Sequence, residues 1–136
     1  MLDSMLSASS AGLLEKALSA SALRQKVISN NIVNVNTPGF KRSEVIFEDK
    51  LQQAIGGPKL LSLVRTHGAH LSGTREVSTD PAVVVDKDTS MRLDGNNVDI
   101  DKEMAGLAKN SIYYNSVAQQ LSKKYSTLVS AIKEGK

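Results

Sequence analysis

The chain has 136 residues, of which 40% are hydrophobic and only 4% aromatic, and it carries a net charge of +3 without any cysteine. This length suits one domain with an aliphatic core, and the missing cysteines exclude disulfides, thiolate metal ligands and a cysteine nucleophile. The charges are spread evenly along the chain, which argues against a nucleic-acid-binding patch.

The N-terminal part of the chain predicts one long helix. Residues 1–12 are rich in Ser, Ala and Gly and predict a weak helix or a tail, and they do not resemble a secretory signal. From residue 13 onwards, apolar residues recur four and three residues apart, as on one face of a paired helix. The predicted seam is Leu14, Leu18, Ser21, Gln25, Ile28, Ile32 and Val35. Its two polar members either fix the register between helices or face partly into solvent.

An abrupt end of this helix is predicted near residue 36. Pro38 disfavours helical geometry at Thr37, and Gly39 can adopt the positive φ of a type II turn. Four asparagines stand at the same helix end, where the last carbonyls lack partners. Their amides can donate to those carbonyls and accept from neighbouring subunits, or they simply terminate the helix. The predicted assembly motif is Asn30, Asn31, Ile32, Asn34, Asn36, Thr37, Pro38, Gly39 and Phe40.

The middle of the chain predicts less regular structure. Apolar residues between 45 and 55 predict a short helix that begins near Glu44 and ends at Gly56-Gly57-Pro58. Short β-prone runs then predict a small β-containing excursion, with the last two runs joined by a hairpin loop at 86–89. These runs are residues 60–64, 82–85 and 90–93.

A turn and a helix cap are predicted before the last third of the chain. Asp94-Gly95-Asn96-Asn97 has the composition of a turn. Asp99 is expected to cap the final helix, and Asp101 and Glu103 are expected to complement the positive end of the helix dipole.

The last third predicts a second long helix with a more regular seam, which only one serine interrupts. The seam residues are Ile100, Met104, Leu107, Ser111, Tyr114, Ala118, Leu121, Tyr125, Leu128 and Ile132. Because such an apolar stripe cannot remain in water, the helix needs a partner, and the N-terminal helix can supply one. The small and amide-bearing residues beside the seam favour additional helices from neighbouring subunits.

The predicted fold class is therefore mainly α. Long N- and C-terminal heptad helices pair as an antiparallel coiled-coil hairpin, with a short helix and a small β or irregular middle segment. This organisation divides the chain into residues 1–55 (N-terminal helix, turn and short helix), 56–98 (β or irregular segment) and 99–136 (C-terminal heptad helix).

The sequence carries no pattern typical of an enzyme or a metal protein. His67 and His70 lack a third ligand at a telling spacing. The acidic run from residue 86 has Met91 and Asn97 where a calcium loop needs Gly and Glu. No nucleophilic serine motif or phosphate-binding glycine loop occurs. We therefore expect no catalytic residues, cofactor, metal, small-molecule substrate or nucleic acid, and no apolar stretch approaches the roughly eighteen residues of a membrane span.

Two stretches of the chain resemble one known family. The run Asn30-Asn31-Ile32-Val33-Asn34-Val35-Asn36-Thr37-Pro38-Gly39-Phe40-Lys41 resembles the N-terminal motif of bacterial flagellar rod and hook proteins, which has the form NNIxNxNTPGFK. Residues 94–104, with Leu107-Ala108-Lys109-Asn110 and Tyr114-Asn115, are similar to the C-terminal portion of proximal rod subunits. The length also fits a proximal rod subunit, since hook and distal rod relatives are longer. The likeness covers roughly residues 13–55 and 94–132.

The resemblance implies a structural protein of the flagellar basal body. Such a protein is exported by the flagellar type III system without a cleaved signal peptide and is built into the periplasmic rod, which transmits torque. Its terminal helices polymerise, so the implied partners are other copies of the chain, other rod subunits, and basal-body ring and export-gate proteins. The alternative from another class is a helical adaptor or export chaperone whose exposed seam binds a client helix.

Overall fold

The computed structural model describes residues 8–56 and 80–134. Within these ranges the elements are helix α1 (Ala8–Val33), strand β1 (Ser43–Ile46), helix α2 (Glu48–Gly56), strand β2 (Ala82–Val85) and helix α3 (Ile100–Glu134). Most of this structure lies in α1 and α3, so the predicted mainly helical class is confirmed. None of these helices combines the length and the apolar character that crossing a bilayer requires.

Helices α1 and α3 form the predicted antiparallel hairpin. The hydroxyl of Tyr125, late in α3, donates to the carboxylate of Glu15, early in α1. At the other end of the hairpin, Asn31 from the end of α1 donates to Glu103 in the first turns of α3. The two helices therefore run in opposite directions along one shared face.

The core beneath this hairpin is small and rich in alanine. Its buried members are Ala17 and Ala20 of α1, Phe47 between β1 and α2, and Val117 of α3. Leu14, Leu18 and Leu51 pack against it and are partly buried. Alanine lets helix backbones approach closely but buries little apolar area. Phe47, which is fully buried, therefore provides the largest apolar side chain of this core.

The prediction of a helix from Glu44 is wrong in its first part. Residues 43–46 form strand β1, and α2 begins at Glu48. Val45 is buried on one face of the strand, whereas its neighbour Glu44 points into solvent. β-branched residues favour this extended geometry, and a partner strand that lies far along the chain provides the backbone hydrogen bonds.

The predicted hairpin between residues 82–85 and 90–93 is also wrong. Strand β2 forms as expected, but it pairs antiparallel with β1, from Ser43 opposite Val85 to Ile46 opposite Ala82. Residues 90–93 instead lead into the turn before α3, where the N–H of Gly95 donates to the carbonyl of Arg92. The β-prone run 60–64, the helix-breaking Gly57-Pro58 pair, and His67 and His70 lie outside the described residues.

The start of α3 follows the prediction. Asp99 Oδ1 accepts hydrogen bonds from the backbone N–H groups of Asp101 (3.0 Å) and Lys102 (3.3 Å), which is the geometry of an N-cap. The preceding turn lies at residues 92–95, two residues earlier than the predicted 94–97, with the Gly95 N–H donating to the carbonyl of Arg92 and Gly95 at a φ of 81°. Glu103, however, is buried and paired, so it does more than complement the helix dipole.

Candidate functional site

The turn that ends α1 has the predicted geometry. Gly39 has a φ of 71°, and the N–H of Phe40 donates to the carbonyl of Thr37 at 3.3 Å. With Pro38 before the glycine, these features define a type II turn. The turn is the first part of a region that we call the junction: residues 34–42 after α1 together with residues 86–98 before α3.

One buried side chain connects the two halves of the junction. Asn96 is fully buried, and its Nδ2 lies 3.0–3.1 Å from the carbonyl oxygens of Asn34, Val35 and Thr37. Its Oδ1 accepts from the N–H of Val98 at 2.7 Å. An asparagine from the segment before α3 thus satisfies the carbonyls that follow α1. The sequence predicted asparagine amides in this role, but it placed them within the motif itself.

The two turns of the junction also touch through their backbones. The N–H of Gly39 donates to the carbonyl of Asp94 at 2.9 Å. A Cβ placed on Gly95 would lie 3.8 Å from the Cα of Gly39, which is an ordinary van der Waals distance. The entry into α3 is therefore held directly against the end of α1.

Asn97 ties the junction to the sheet. Its Oδ1 accepts from the backbone N–H of Arg42 at 2.6 Å, and its Nδ2 donates to the carbonyl of Asp86 at 3.0 Å. The Asp86 carboxylate in turn accepts from the Thr89 hydroxyl at 2.8 Å. This hydroxyl, with the backbone N–H groups of Thr89 and Asp88, lowers the pKa of the exposed Asp86 carboxyl.

Asn31 connects α1, β1 and α3. Its side-chain amide pairs with both backbone groups of Ser43: Nδ2 donates to the carbonyl at 2.8 Å, and Oδ1 accepts from the N–H at 3.0 Å. The same Nδ2 lies 3.1 Å from Glu103 Oε2. Asn31 is fully buried, so its amide takes the place that a neighbouring strand would fill along β1.

Glu103 and Arg42 add an ion pair to the hydrogen bonds of Asn31. Glu103 is 2% exposed, and its Oε1 accepts from Arg42 Nε at 2.6 Å. Arg42 Nη1 donates to Glu44 Oε2 at 2.9 Å. Partial burial lowers the pKa of Arg42, but the hydrogen bonds and charges of Glu103 and Glu44 outweigh burial and raise it overall. The buried carboxylate is therefore paired and fully hydrogen-bonded, as burial of a charge requires.

A second buried asparagine lies further along the hairpin. Asn110 is 2% exposed, and its Nδ2 donates to the carbonyl of Ser21 at 2.9 Å. Its Oδ1 is buried without a hydrogen-bond partner. Ser21 turns its own hydroxyl back to the carbonyl of Leu18. Two polar side chains thus meet at the helix contact without forming a complete network.

A cleft of about 460 Å³ opens beside this contact, between α1, β1 and α3. An ion pair lines it, with Arg24 Nη2 at 2.5 Å from Glu48 Oε2. Partial burial raises the pKa of Glu48, but the hydrogen bond and charge of Arg24 outweigh burial and lower it overall. The pair closes the space between α1 and the start of α2.

One half of each predicted seam lies in the helix contact, buried or half-buried. These residues are Leu14, Ser21 and Ile28 of α1 and Leu107, Tyr114, Leu121 and Leu128 of α3; Val35 follows the end of α1 and is half-buried. The second line of the contact falls one residue earlier than the sequence predicted. It consists of Ala17, Arg24, Asn31, Glu103, Asn110, Val117 and Lys124. Hydrophobic periodicity missed this line because most of its members are polar.

The other half of each seam lies at the edge of the contact. Leu18, Ile32, Ser111 and Ala118 are half-buried, and Gln25 is exposed. On α3 the large side chains of this half are exposed, by 52% at Met104, 44% at Tyr125 and 73% at Ile132, and Ile100, which begins the other half, is also 46% exposed. The structure therefore leaves an apolar stripe on α3 beside the helix contact.

The assembly motif is divided in the same way. Asn31 is buried, and Ile32, Asn34 and Phe40 are half-buried. The residues that point into solvent are Asn30, Asn36, Thr37, Pro38 and Gly39. Asn34 Nδ2 donates to the carbonyl of Asn30 at 2.8 Å, so one amide of the motif does satisfy the helix end.

The junction fixes backbone geometry and shows no arrangement suited to bond-breaking chemistry. Within residues 8–56 and 80–134, no three His, Cys, Asp or Glu side chains come together as metal ligands. Sequence reasoning missed Asn96, Asn97, Glu103 and Arg42 as members of this network. The turn composition explained Asn96 and Asn97 locally and the helix dipole explained Glu103, but nothing in the sequence pattern linked these residues or Arg42 to partners about 60 positions away.

Known proteins match the chain over the junction and both long helices. The profile of the family described as "Flagella basal body rod protein" matches residues 14–41, which cover most of α1 and the type II turn. The chain is 37% identical over 123 residues to the flagellar basal body rod protein FlgB of Bacillus subtilis (strain 168), covering 90% of this chain and 92% of the relative. It is 41% identical over 111 residues to FlgB of Borrelia hermsii, covering 78% and 82%. It is 26% identical over 125 residues to FlgB of Escherichia coli (strain K12), covering 89% and 91%.

Proposed function

The chain belongs to the flagellar basal body rod protein family, and on that premise we propose that it is a structural subunit of the proximal rod. It polymerises through its terminal helices, and the resulting rod transmits torque. Its partners are other copies of itself, other rod subunits, and basal-body ring and export-gate proteins. It reaches the periplasmic rod through the flagellar type III system without a cleaved signal peptide.

The observation that carries this proposal is the apolar stripe on α3 beside a rigidly tied junction. Ile100, Met104, Tyr125 and Ile132 stand exposed along one helix. Exposed apolar residues in such a row favour contact with another protein. The hydrogen bonds of Asn31, Asn96 and Asn97 hold the end of α1 and the start of α3 in a fixed relation, which suits a subunit that must pass on a rotation without unfolding.

The small core supports assembly in a second way. The buried apolar cluster includes two alanines, which bury little area. A hairpin with such a core gains stability when neighbouring subunits cover its exposed stripe. The helices of the free chain are therefore expected to be cleaved by protease more readily than those of the assembled chain.

Deletion of residues 100–132 in a motile cell that encodes this chain tests the proposal. Cells with the deletion should lack completed basal bodies in electron micrographs, because α3 supplies one side of the hairpin and its stripe. Lys123→Ala, on the exposed face of α3, serves as the matched control and should assemble normally. Intact flagella in the deletion strain would contradict the proposed function.

The alternative, a helical adaptor or export chaperone, predicts different behaviour of the purified chain. An adaptor should be folded and protease-resistant alone, and it should remain with a client outside the basal body. A rod subunit should show protease-sensitive terminal helices when free and should appear in purified basal bodies.

A further inference from the structure

The hydrogen-bond pattern of the sheet shows which edge of β2 is in use. The N–H of Asp86 donates to the carbonyl of Arg42 at 2.9 Å, so residues 42 and 86 form a hydrogen-bonded pair. In an antiparallel ladder such pairs alternate with non-bonded pairs, so Val84 also faces β1. The backbone groups of Val83 and Val85 consequently point away from β1, towards the outer edge.

The opposite edge of this two-stranded sheet is already closed. Both backbone groups of Ser43 are bonded by the amide of Asn31. The carbonyl of Val45 accepts from Arg24 Nη2 at 3.4 Å. Side chains of α1 therefore occupy the positions where a further strand would pair with β1, and the sheet can grow only beyond β2.

The outer edge of β2 carries apolar side chains and open backbone groups. Val83, Val84 and Val85 are 46%, 45% and 43% exposed. Within the part of the chain that the structure describes, the outward N–H and C=O groups of Val83 and Val85 have no hydrogen-bond partner. Residues 82–85 include none of the Lys, Pro or bulge features that protect exposed edge strands.

We propose that the outer edge of β2 binds an extended segment of another protein, which adds a third strand to the sheet. Outward N–H and C=O groups at every second residue match the backbone spacing of a strand, and the valines offer β-branched contacts to its side chains. This inference goes beyond the proposed polymerisation through helices, although its test in cells depends on the proposed location.

The charges that flank β2 indicate that the added strand comes from a different protein. If two copies paired antiparallel through β2 about Val83 or Val84, Asp86 and Asp88 of one copy would lie beside residues 80–82 of the other, which include an acid and no basic residue; Asp80 itself is already paired with Lys16 at 3.4 Å. Opposed like charges destabilise a strand pair. The occupant therefore has β-branched residues and a basic residue at the end that meets Asp86 and Asp88.

Val83→Pro tests the strand addition directly. Proline removes the outward N–H of residue 83 and is tolerated at an edge, since this N–H makes no bond to β1. The variant should keep the unfolding midpoint and circular dichroism spectrum of the parent chain. Completed basal bodies in cells should fall about tenfold, as expected when one backbone hydrogen bond and its close contact are lost.

Three variants serve as controls. Val83→Thr keeps both the N–H and the branched side chain and should assemble like the parent chain. Val84→Pro removes a backbone hydrogen bond to β1 and should lower the unfolding midpoint. It therefore shows what a disrupted sheet looks like in the same measurement. If Val83→Pro itself fails to fold, Val83→Lys takes its place, because an edge lysine blocks strand addition while leaving the backbone intact.

Hydrogen exchange supplies a readout that a helix-mediated defect would not change. The amides of Val83 and Val85 should exchange at least about tenfold more slowly in purified basal bodies than in the free chain, because a new strand bonds them. Unchanged exchange, or normal assembly of Val83→Pro, would overturn the inference. A dimer of the purified chain that is lost in Val83→Pro would also overturn it, by assigning the edge to a second copy. Normal flagella in a strain lacking the whole gene would instead refute the proposed rod function.

Discussion

At the scale of single residues, buried asparagine amides make the hydrogen bonds that backbone N–H and C=O groups of a neighbouring strand or helix turn would otherwise make. Asn31 bonds both groups of Ser43 as a neighbouring strand would, and Asn96 donates to three carbonyls after α1. An amide suits this role because it presents a donor and an acceptor side by side without charge. Each of these side chains joins segments that are distant in sequence, so the junction depends on a few buried polar groups.

Asn31→Leu and Asn110→Leu compare two buried asparagines. All hydrogen-bonding atoms of the Asn31 amide have partners, whereas Asn110 Oδ1 has none. Loss of Asn31 leaves both backbone groups of Ser43 and the Oε2 atom of Glu103 without their partner, which should lower the free energy of unfolding by roughly 2–4 kcal/mol. Loss of Asn110 removes one bond but also a buried acceptor that has no partner, so the change should stay within about 1 kcal/mol. Urea unfolding followed by circular dichroism measures both. Equal losses would mean that Asn31 is no more than a packing residue.

Asp86 predicts a pH effect with a definite sign. Its folded-state pKa is lowered, so its contribution to stability is present above the unfolded-state pKa, near 3.9, and is lost as the pH falls through the folded-state pKa. Thr89→Val removes the donating hydroxyl and should raise the pKa of Asp86 towards its ordinary value, as an NMR titration of the carboxyl would show. Thr89→Ser retains the hydroxyl and should keep the low pKa. A low pKa in the valine variant would assign the effect to the backbone groups.

The sequence predicted some of these residues and could not predict others. Asp99 as a cap and Gly39 in a turn follow from rules that act within a few residues. The pairing of Asn31 with Glu103 spans 72 positions, and neither residue is apolar, so no periodicity connects them. Such a contact depends on the packing of the whole hairpin.

At the scale of elements, polar contacts set the rotation of α1 against α3. The apolar pattern placed Leu18 and Met104 in the seam, whereas in the structure this line of the contact runs one residue earlier, through Ala17 and Glu103. Alanine allows a close approach of the helices, and the buried carboxylate must face Asn31 and Arg42 to be satisfied. The larger apolar residues are thereby turned outwards along α3.

Strand β1 shows how a distant partner decides local structure. Residues 43–46 lie in a stretch whose apolar residues also fit a helix, but β2 and the amide of Asn31 together satisfy both edges of β1. These partners are 12 or more residues away, beyond the reach of a local pattern. Val45 is consequently buried against α1.

Substitution of Gly39 is expected to disturb the type II turn after α1, because this turn requires a positive φ at residue 39. A Cβ at this position would meet nothing within 4 Å, so the cost of substitution comes from the backbone φ alone. Gly39→Val should lower the free energy of unfolding by about 1–2 kcal/mol and impair assembly in cells. Gly39→Asn, which tolerates positive φ, should be milder. Normal polymerisation of the valine variant would contradict the need for this turn geometry.

At the scale of the whole molecule, the chain is a hairpin in which hydrogen bonds at the junction join the end of α1 to the start of α3, and the apolar stripe of α3 is left uncovered. The hydrogen bonds at the junction explain how the terminal helices, far apart in sequence, can act as one rigid unit. The stripe explains why such a unit would associate with others. Both features suit the proposed role in assembly, and the chain belongs to the flagellar basal body rod protein family.

Cryo-electron microscopy of basal bodies purified from the cell that encodes this chain tests the central claim most directly. Subunits in the wall of the proximal rod should show the hairpin of α1 and α3 joined at the asparagine junction, with Ile100, Met104 and Ile132 covered by neighbouring subunits. A rod wall built without this chain, with the chain recovered only in a soluble complex with an export client, would contradict the account.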